Sequence, residues 1–219
     1  MKKLYILIIF FICLISVSYV DAKNKEYNLE LFGKVIYIDA GHGGVDPGSV
    51  YKNIYEKDIN LEICLKLEEV LEREGAIVYL TRYGDYDLSS TTNGRKKSDL
   101  NNRARMINNS NADMYISIHL NSINSSTWKG AQVFFDDVNK QNKILGTIIE
   151  EQLKEDLKTT RKLKEINNML MNRKIKIPGV LIEAGFLSNS NDRYLLRKND
   201  YQYKICESIK KGIIKYFNM

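Results

Sequence analysis

The 219-residue chain is 44% hydrophobic with only two prolines and thirteen glycines, enough to bury one sizeable core, which excludes collagen-like, repeat-built and disordered classes. Its 33 lysines and arginines exceed its 27 aspartates and glutamates, a formal charge of +6. An excess of this size, without long basic runs, suits a polyanionic surface such as a cell wall and makes no case for nucleic acid.

Lys2 and Lys3 precede an uncharged apolar stretch from Leu4 to Val20, followed by Asp21 and Ala22. A basic start, an apolar run and a small residue behind it read as an export signal, and the run is also near the lower length limit of a membrane anchor. The expectation is a signal peptide or anchor over residues 1–22 and one folded domain over residues 23–219, extracytoplasmic and in contact with membrane only through its N-terminal segment. Cys13 sits behind bulky Ile12, which argues against lipid attachment there.

From Lys34 the chain alternates between strand-like and helix-like segments. Val35 to Ile38 is a short β-rich run that ends in Asp39-Ala40-Gly41-His42-Gly43-Gly44. Ile59, Ile63, Leu67, Val70 and Leu71 then recur at helical spacing, with Gly75 where a helix C-cap is expected. Ala76 to Thr81 reads as a strand, Tyr83 to Ser98 as a polar surface loop, and Leu100 to Asn108 as a short helix. Met114 to Leu120 and Ala131 to Phe135 read as strands, Ile144 to Leu157 as a helix, Val180 to Ile182 as a strand, and Tyr201 to Phe217 as a closing helix. This order predicts an α/β single domain, a mostly parallel twisted sheet of about five or six strands with helices on both faces. The Lys/Asn-rich stretch from Lys158 to Lys176 takes no assignment, and no internal repeat or wall-binding module is visible. Cys64 and Cys206 fall among apolar helical residues and read as small core hydrophobes, with a disulfide between them left open.

Four polar residues stand out on this frame. His42 lies just past the first strand, His119 at the end of the third, Glu183 directly after the Val180–Ile182 strand, and Glu56 at the start of the helix behind the first strand. In open α/β sheets the carboxyl ends of strands carry the ligand site, so all four are expected at one rim. Each has a structural alternative: a turn residue for His42, a helix-dipole partner for Glu56, a hydrogen-bonded core residue for His119. Glu183 is harder to explain structurally, because a carboxylate beside a buried strand costs several kcal/mol unless paired, placed at the rim or metal-linked. Together they have a chemical logic. Two histidines and a glutamate form a catalytic zinc shell with one position left for water, and a second carboxylate not bound to the metal can move that water's proton to a leaving amine.

The run Val35 to Gly44 with Asp46-Pro47-Gly48 resembles the opening motif of the zinc-dependent N-acetylmuramoyl-L-alanine amidases of the Amidase_3 family. Glu56-Lys57-Asp58-Ile59-Asn60-Leu61, Thr81-Arg82 with Asp85, Ala112-Asp113 leading to Ser117-Ile118-His119-Leu120-Asn121, and Glu183-Ala184-Gly185-Phe186-Leu187-Ser188-Asn189 resemble its later blocks in order. The resemblance implies zinc ligands at His42, Glu56 and His119, a catalytic Glu183, and hydrolysis of the amide between the lactyl group of N-acetylmuramic acid and L-Ala of the peptidoglycan stem peptide. The segment from Leu120 to Lys129 is too short for the autoinhibitory helix that some division-associated members insert there. Small, export-signalled, single-domain members resemble the spore-cortex enzymes whose product leads to muramic-δ-lactam. An exported accessory or activator protein is the expected partner besides the polymer. The alternatives are another zinc hydrolase of peptidoglycan, a peptidase or deacetylase, and a non-catalytic wall-binding protein on the same fold. Smaller expectations attach to Trp128, as a sugar-stacking side chain or a surface contact, and to the basic residues between Lys158 and Lys176, as a wall contact or a solvated face.

Overall fold

The computed structural model describes residues 29–219, so the expected export segment lies outside the described residues. The strand-like runs pair into one six-stranded sheet, in the order Ile77–Leu80, Val35–Ala40, Met114–Asn121, Gly179–Phe186, Gln132–Phe135, Lys164–Glu165. β1 (Val35–Ala40), β4 (Ile77–Leu80), β5 (Met114–Asn121) and β8 (Gly179–Phe186) run parallel. β6 (Gln132–Phe135) lies antiparallel to β8 and carries the two-residue β7 (Lys164–Glu165) along its other edge. A separate hairpin of β2 (Val50–Tyr51) and β3 (Ile54–Tyr55) leads into the first helix.

Alternation along the central strands assigns each face its cover. Ile36, Ile38, Ile116 and Ile118 point into the larger core, which is closed by α1 (Glu56–Glu72), α3 (Lys140–Leu157) and α5 (Asn199–Phe217). Tyr37 and Tyr115 point the other way, onto Ala104 and Ile107 of α2 (Arg95–Asn108) and onto Met171 and Ile175 around a 3₁₀ turn at Asn172–Lys174. A short α4 (Ser190–Leu195) precedes α5, its N-terminus capped by the Asn189 side chain, which accepts from the Asn191 and Asp192 amides. The architecture is the expected one, a single α/β domain with helices on both faces of a mostly parallel sheet.

Two expectations on the elements need correction, and one unassigned stretch gains elements. α2 begins at Arg95, inside the expected loop, because its first turn, Arg-Lys-Lys-Ser, faces solvent and carries no apolar period. β8 runs on to Phe186, so Glu183 is a residue within the strand and not the residue behind it. Its ladder continues because Glu183 pairs with His119 of β5 on one side and Gln132 of β6 on the other. The unassigned stretch from Lys158 to Lys176 supplies β7 and the 3₁₀ turn. Cys64 and Cys206 are free and buried, as small core hydrophobes. Among the described residues, no helix is long and apolar enough to cross a membrane.

Candidate metal and catalytic centre

His42, Glu56, His119 and Glu183 line one cleft of about 620 Å³ at the carboxyl edge of the parallel strands. β1 ends at Ala40, and His42 takes a left-handed backbone conformation with φ of 62° that a non-glycine residue adopts only when its surroundings hold it there. Glu56 is the first residue of α1, next to the positive end of the helix dipole. His119 reaches in from β5, over Gly41, where a Cβ would stand 2.3 Å from the imidazole ring. Gly48 is constrained likewise: its φ is +65°, and a Cβ there would meet Glu56 Oε2 and His42 Cδ2, each at 2.7 Å.

Glu56 is 3% exposed and stays ionised. Burial pushes its pKa up, but hydrogen bonds and charge from His119 and His42 outweigh that and hold the carboxyl well below the usual range. Its Oε1 faces His42 Nε2 and His119 Nδ1, each at 3.1 Å, and accepts from the Leu120 amide at 3.0 Å. Its Oε2 accepts from the Ser49 amide at 2.8 Å. The two imidazoles meet edge to face with centroids 5.0 Å apart. Burial lowers the pKa of His42, yet Glu56 and Asp46 together raise it above the ordinary value, so the spot favours a positive charge. The three ligand atoms lie within 4.8 Å of one another. Two imidazole nitrogens and one carboxylate oxygen in one pocket match a catalytic zinc shell in donor type and number, with one tetrahedral position left over.

Glu183 faces the same cleft from β8. Its Oε2 is shielded from solvent and has no hydrogen-bond partner among the described residues. Burial pushes its pKa up to about 7, His119 and His42 pulling it down and Glu56 adding to the rise. A carboxyl poised near neutrality can take up and release a proton at working pH.

A layer of residues that the sequence reading left without a role fixes this centre. Asp46 Oδ2 lies 2.9 Å from His42 Nδ1, the carboxylate-to-histidine contact that orients a metal-binding imidazole. Arg82 donates to the carbonyls of Ala40 and Gly41, and Arg103 to those of Ala40 and His42, so two guanidinium groups clamp the loop that carries His42. Arg103 is itself held by Asp99 and by Asp39 at 2.8 Å, and Asp39 also accepts from Ser117 and Thr81. Lys57 bridges the Gly44 carbonyl and Asp85. Asp46, Arg82 and Asp85 stood in motif blocks, so a signal existed; Arg103 stood in none. Trp128 is not among the residues that line the cleft; its ring is capped by the Arg161 guanidinium at 4.5 Å. Of the basic stretch, Arg161 binds Gln132 and Arg173 pairs with Asp137.

A sheet edge with two histidines, a buried glutamate between them and a second, shielded carboxyl has the donor set that a metal-assisted hydrolase needs. The chain belongs to the N-acetylmuramoyl-L-alanine amidase family Amidase_3, whose sequence profile matches residues 36–215. It is 42% identical to the germination-specific N-acetylmuramoyl-L-alanine amidase of Bacillus subtilis, over 99% of this chain and 95% of that protein. The structure of the CwlD amidase from Clostridioides difficile in complex with the GerS lipoprotein superposes with a TM-score of 0.81 at 42% identity, covering 85% of this chain and 99% of that one. A second amidase, from Clostridium difficile 630, gives a TM-score of 0.76 at 31% identity over 84% of this chain and 97% of its own.

Proposed function

We propose that this protein is a zinc-dependent N-acetylmuramoyl-L-alanine amidase that acts on spore-cortex peptidoglycan, opening the amide between the lactyl group of N-acetylmuramic acid and L-Ala on the way to muramic-δ-lactam. The observation that carries the reading is the convergence of His42 Nε2 and His119 Nδ1 on Glu56 Oε1, each at 3.1 Å, in the cleft that Glu183 lines. His42, Glu56 and His119 would hold the zinc, which when bound supplies Lewis acidity for the lactyl carbonyl and for the attacking water. Asp46 keeps the His42 proton on Nδ1 and leaves Nε2 free as a ligand. Glu183 takes a proton from the water as the carbonyl carbon is attacked and delivers it to the nitrogen of L-Ala as the C–N bond breaks, so the amine leaves neutral. Arg82 and Arg103 hold the His42 loop still while this happens.

Residues 1–22 serve in this proposal as signal peptide or anchor and residues 23–219 as the catalytic domain, which places the protein outside the cytoplasm with the polymer. An exported lipoprotein is the proposed accessory partner, supported by the complex in which the similar C. difficile amidase was solved. The test is digestion of peptidoglycan by the purified, zinc-supplemented protein beside Glu183→Ala, with the released ends identified by mass spectrometry. Stem peptides that begin with L-Ala, absent from the mutant digest, establish the amidase. Cuts within the peptide or loss of acetyl groups would instead give the site to a peptidase or a deacetylase.

A further inference from the structure

The cleft is lined by five carboxylates and two cations, Lys96 and Arg103. Arg103 is 1% exposed and is held by Asp39, Asp99 and the carbonyls of Ala40 and His42, a buried clamp on the loop and not an exposed cation. Lys96, in the first turn of α2, is different: its side chain is 72% exposed. Its Nζ stands 3.8 Å from Asp46 Oδ2, too far for a hydrogen bond, and donates none among the described residues. That Asp46 oxygen is the one 2.9 Å from His42 Nδ1, so the ammonium lies within about 7 Å of the imidazole, close to the reach of two extended residues at about 3.3–3.6 Å each.

The substrate's charge is unevenly spread. Its sugars are neutral once the lactyl carboxyl is in an amide, and its negative charge sits on the carboxylates of the stem peptide. With Asp39 and Asp99 paired to Arg103 and Glu56 in the proposed zinc shell, Lys96 is the exposed ammonium of the lining that a peptide carboxylate can meet. We propose that Lys96 is a specificity-determining residue of this cleft, its ammonium receiving a free carboxylate on the second residue of the stem peptide. The same contact assigns the α2 wall to the peptide and leaves the opposite wall to the glycan.

This inference rests on the amidase reading, and one experiment separates the two. Zinc-loaded full-length protein is given two soluble muropeptides that differ only in whether the carboxylate of the second stem residue is free or amidated, and release of the L-Ala-terminated peptide is followed. The wild type should favour the free carboxylate about tenfold in kcat/KM, expressed in KM, as expected for a charge-assisted hydrogen bond. Lys96→Gln should bring the ratio of the two kcat/KM values toward one, and Lys96→Arg should restore most of it. Loss of the Lys96 charge also touches Asp46, but a weakened metal site lowers both rates together and leaves the ratio unchanged; zinc content measured alongside exposes that case. A ratio that survives in Lys96→Gln, or a wild type that does not discriminate, overturns the proposal while leaving the amidase reading intact. Release of no L-Ala-terminated peptide from either substrate overturns both.

Discussion

Asp46 decides which nitrogen of His42 carries the proton. A carboxylate can only accept, so its contact at 2.9 Å puts the proton on Nδ1 and the lone pair on Nε2, which faces Glu56. Asp46→Asn keeps an oxygen for the Gly48 amide but offers a donor to Nδ1, which favours the tautomer with Nε2 blocked. Zinc affinity is expected to fall about 10- to 100-fold, read by competition with a fluorescent chelator. Asp39 is a different case, since it touches no candidate ligand and acts through the fold. It is buried, and although burial pushes its pKa up, Arg103, His119 and Ser117 bring it below the ordinary aspartate value. A depressed folded-state pKa contributes stability above the unfolded value, near 3.8, that is lost as the pH falls through the folded value. The acid limb of the melting-temperature profile should therefore steepen below about pH 4 in the wild type and flatten in Asp39→Asn. That variant should also lose roughly 3 kcal/mol at neutral pH, because it leaves Arg103 buried with half its counter-charge.

At the scale of elements, the clearest dependence is between α3 and α5, which close the larger core side by side. Gly212 of α5 lies against Ile149 of α3, and a Cβ there would stand 2.9 Å from Ile149 Cγ1 and 3.1 Å from its Cα. Alanine is the better helix former by about 1 kcal/mol, but a contact with backbone cannot be relieved by a rotamer change, so the helices must separate. Gly212→Ala is expected to cost about 1–2 kcal/mol net and a few degrees in thermal unfolding, the opposite sign to its helix propensity. The same contrast between local signal and tertiary demand explains what the sequence disclosed. His42, His119 and Glu183 were legible because each is a polar residue at or just past the end of an apolar run, and Glu56 because it starts the helix behind the first strand, all at the edge where a parallel sheet collects its site. Arg103 was not: its partner Asp39 is 64 positions away, and along α2 it reads as one more charge on a polar helix. β7 was invisible because two residues, Lys164 and Glu165, carry no alternation; they are a strand only because β6 has a free edge. Glu183 ended an apolar run in the sequence, whereas the backbone ladder, indifferent to side chains, continued past it.

Across the whole molecule the site joins three segments distant in sequence. The loop after β1 brings His42, the start of α1 brings Glu56 and the far part of β5 brings His119, and their ligand atoms lie within 4.8 Å. A cation bound there ties the carboxyl edge of the sheet to the N-terminus of α1, and ligands that bind only the folded state stabilise it by mass action. At a hundredfold excess over the dissociation constant the gain is about 2.7 kcal/mol, which for a chain of this size is roughly 5–10 °C. Removal of zinc with a chelator should therefore lower the melting temperature by that order, and re-addition should restore it. Glu56→Gln removes a ligand charge and should abolish the response to zinc. Glu183→Gln should keep the response in full while losing hydrolysis, because the role proposed for Glu183 lies outside the ligand set, on the proton alone. If both variants lost the response, Glu183 would be a fourth ligand and proton transfer would fall to another group; if neither did, the metal would sit elsewhere in the fold. The paired melting curves thus test the assignment of all four residues without depending on an activator or on which form of the polymer the enzyme accepts.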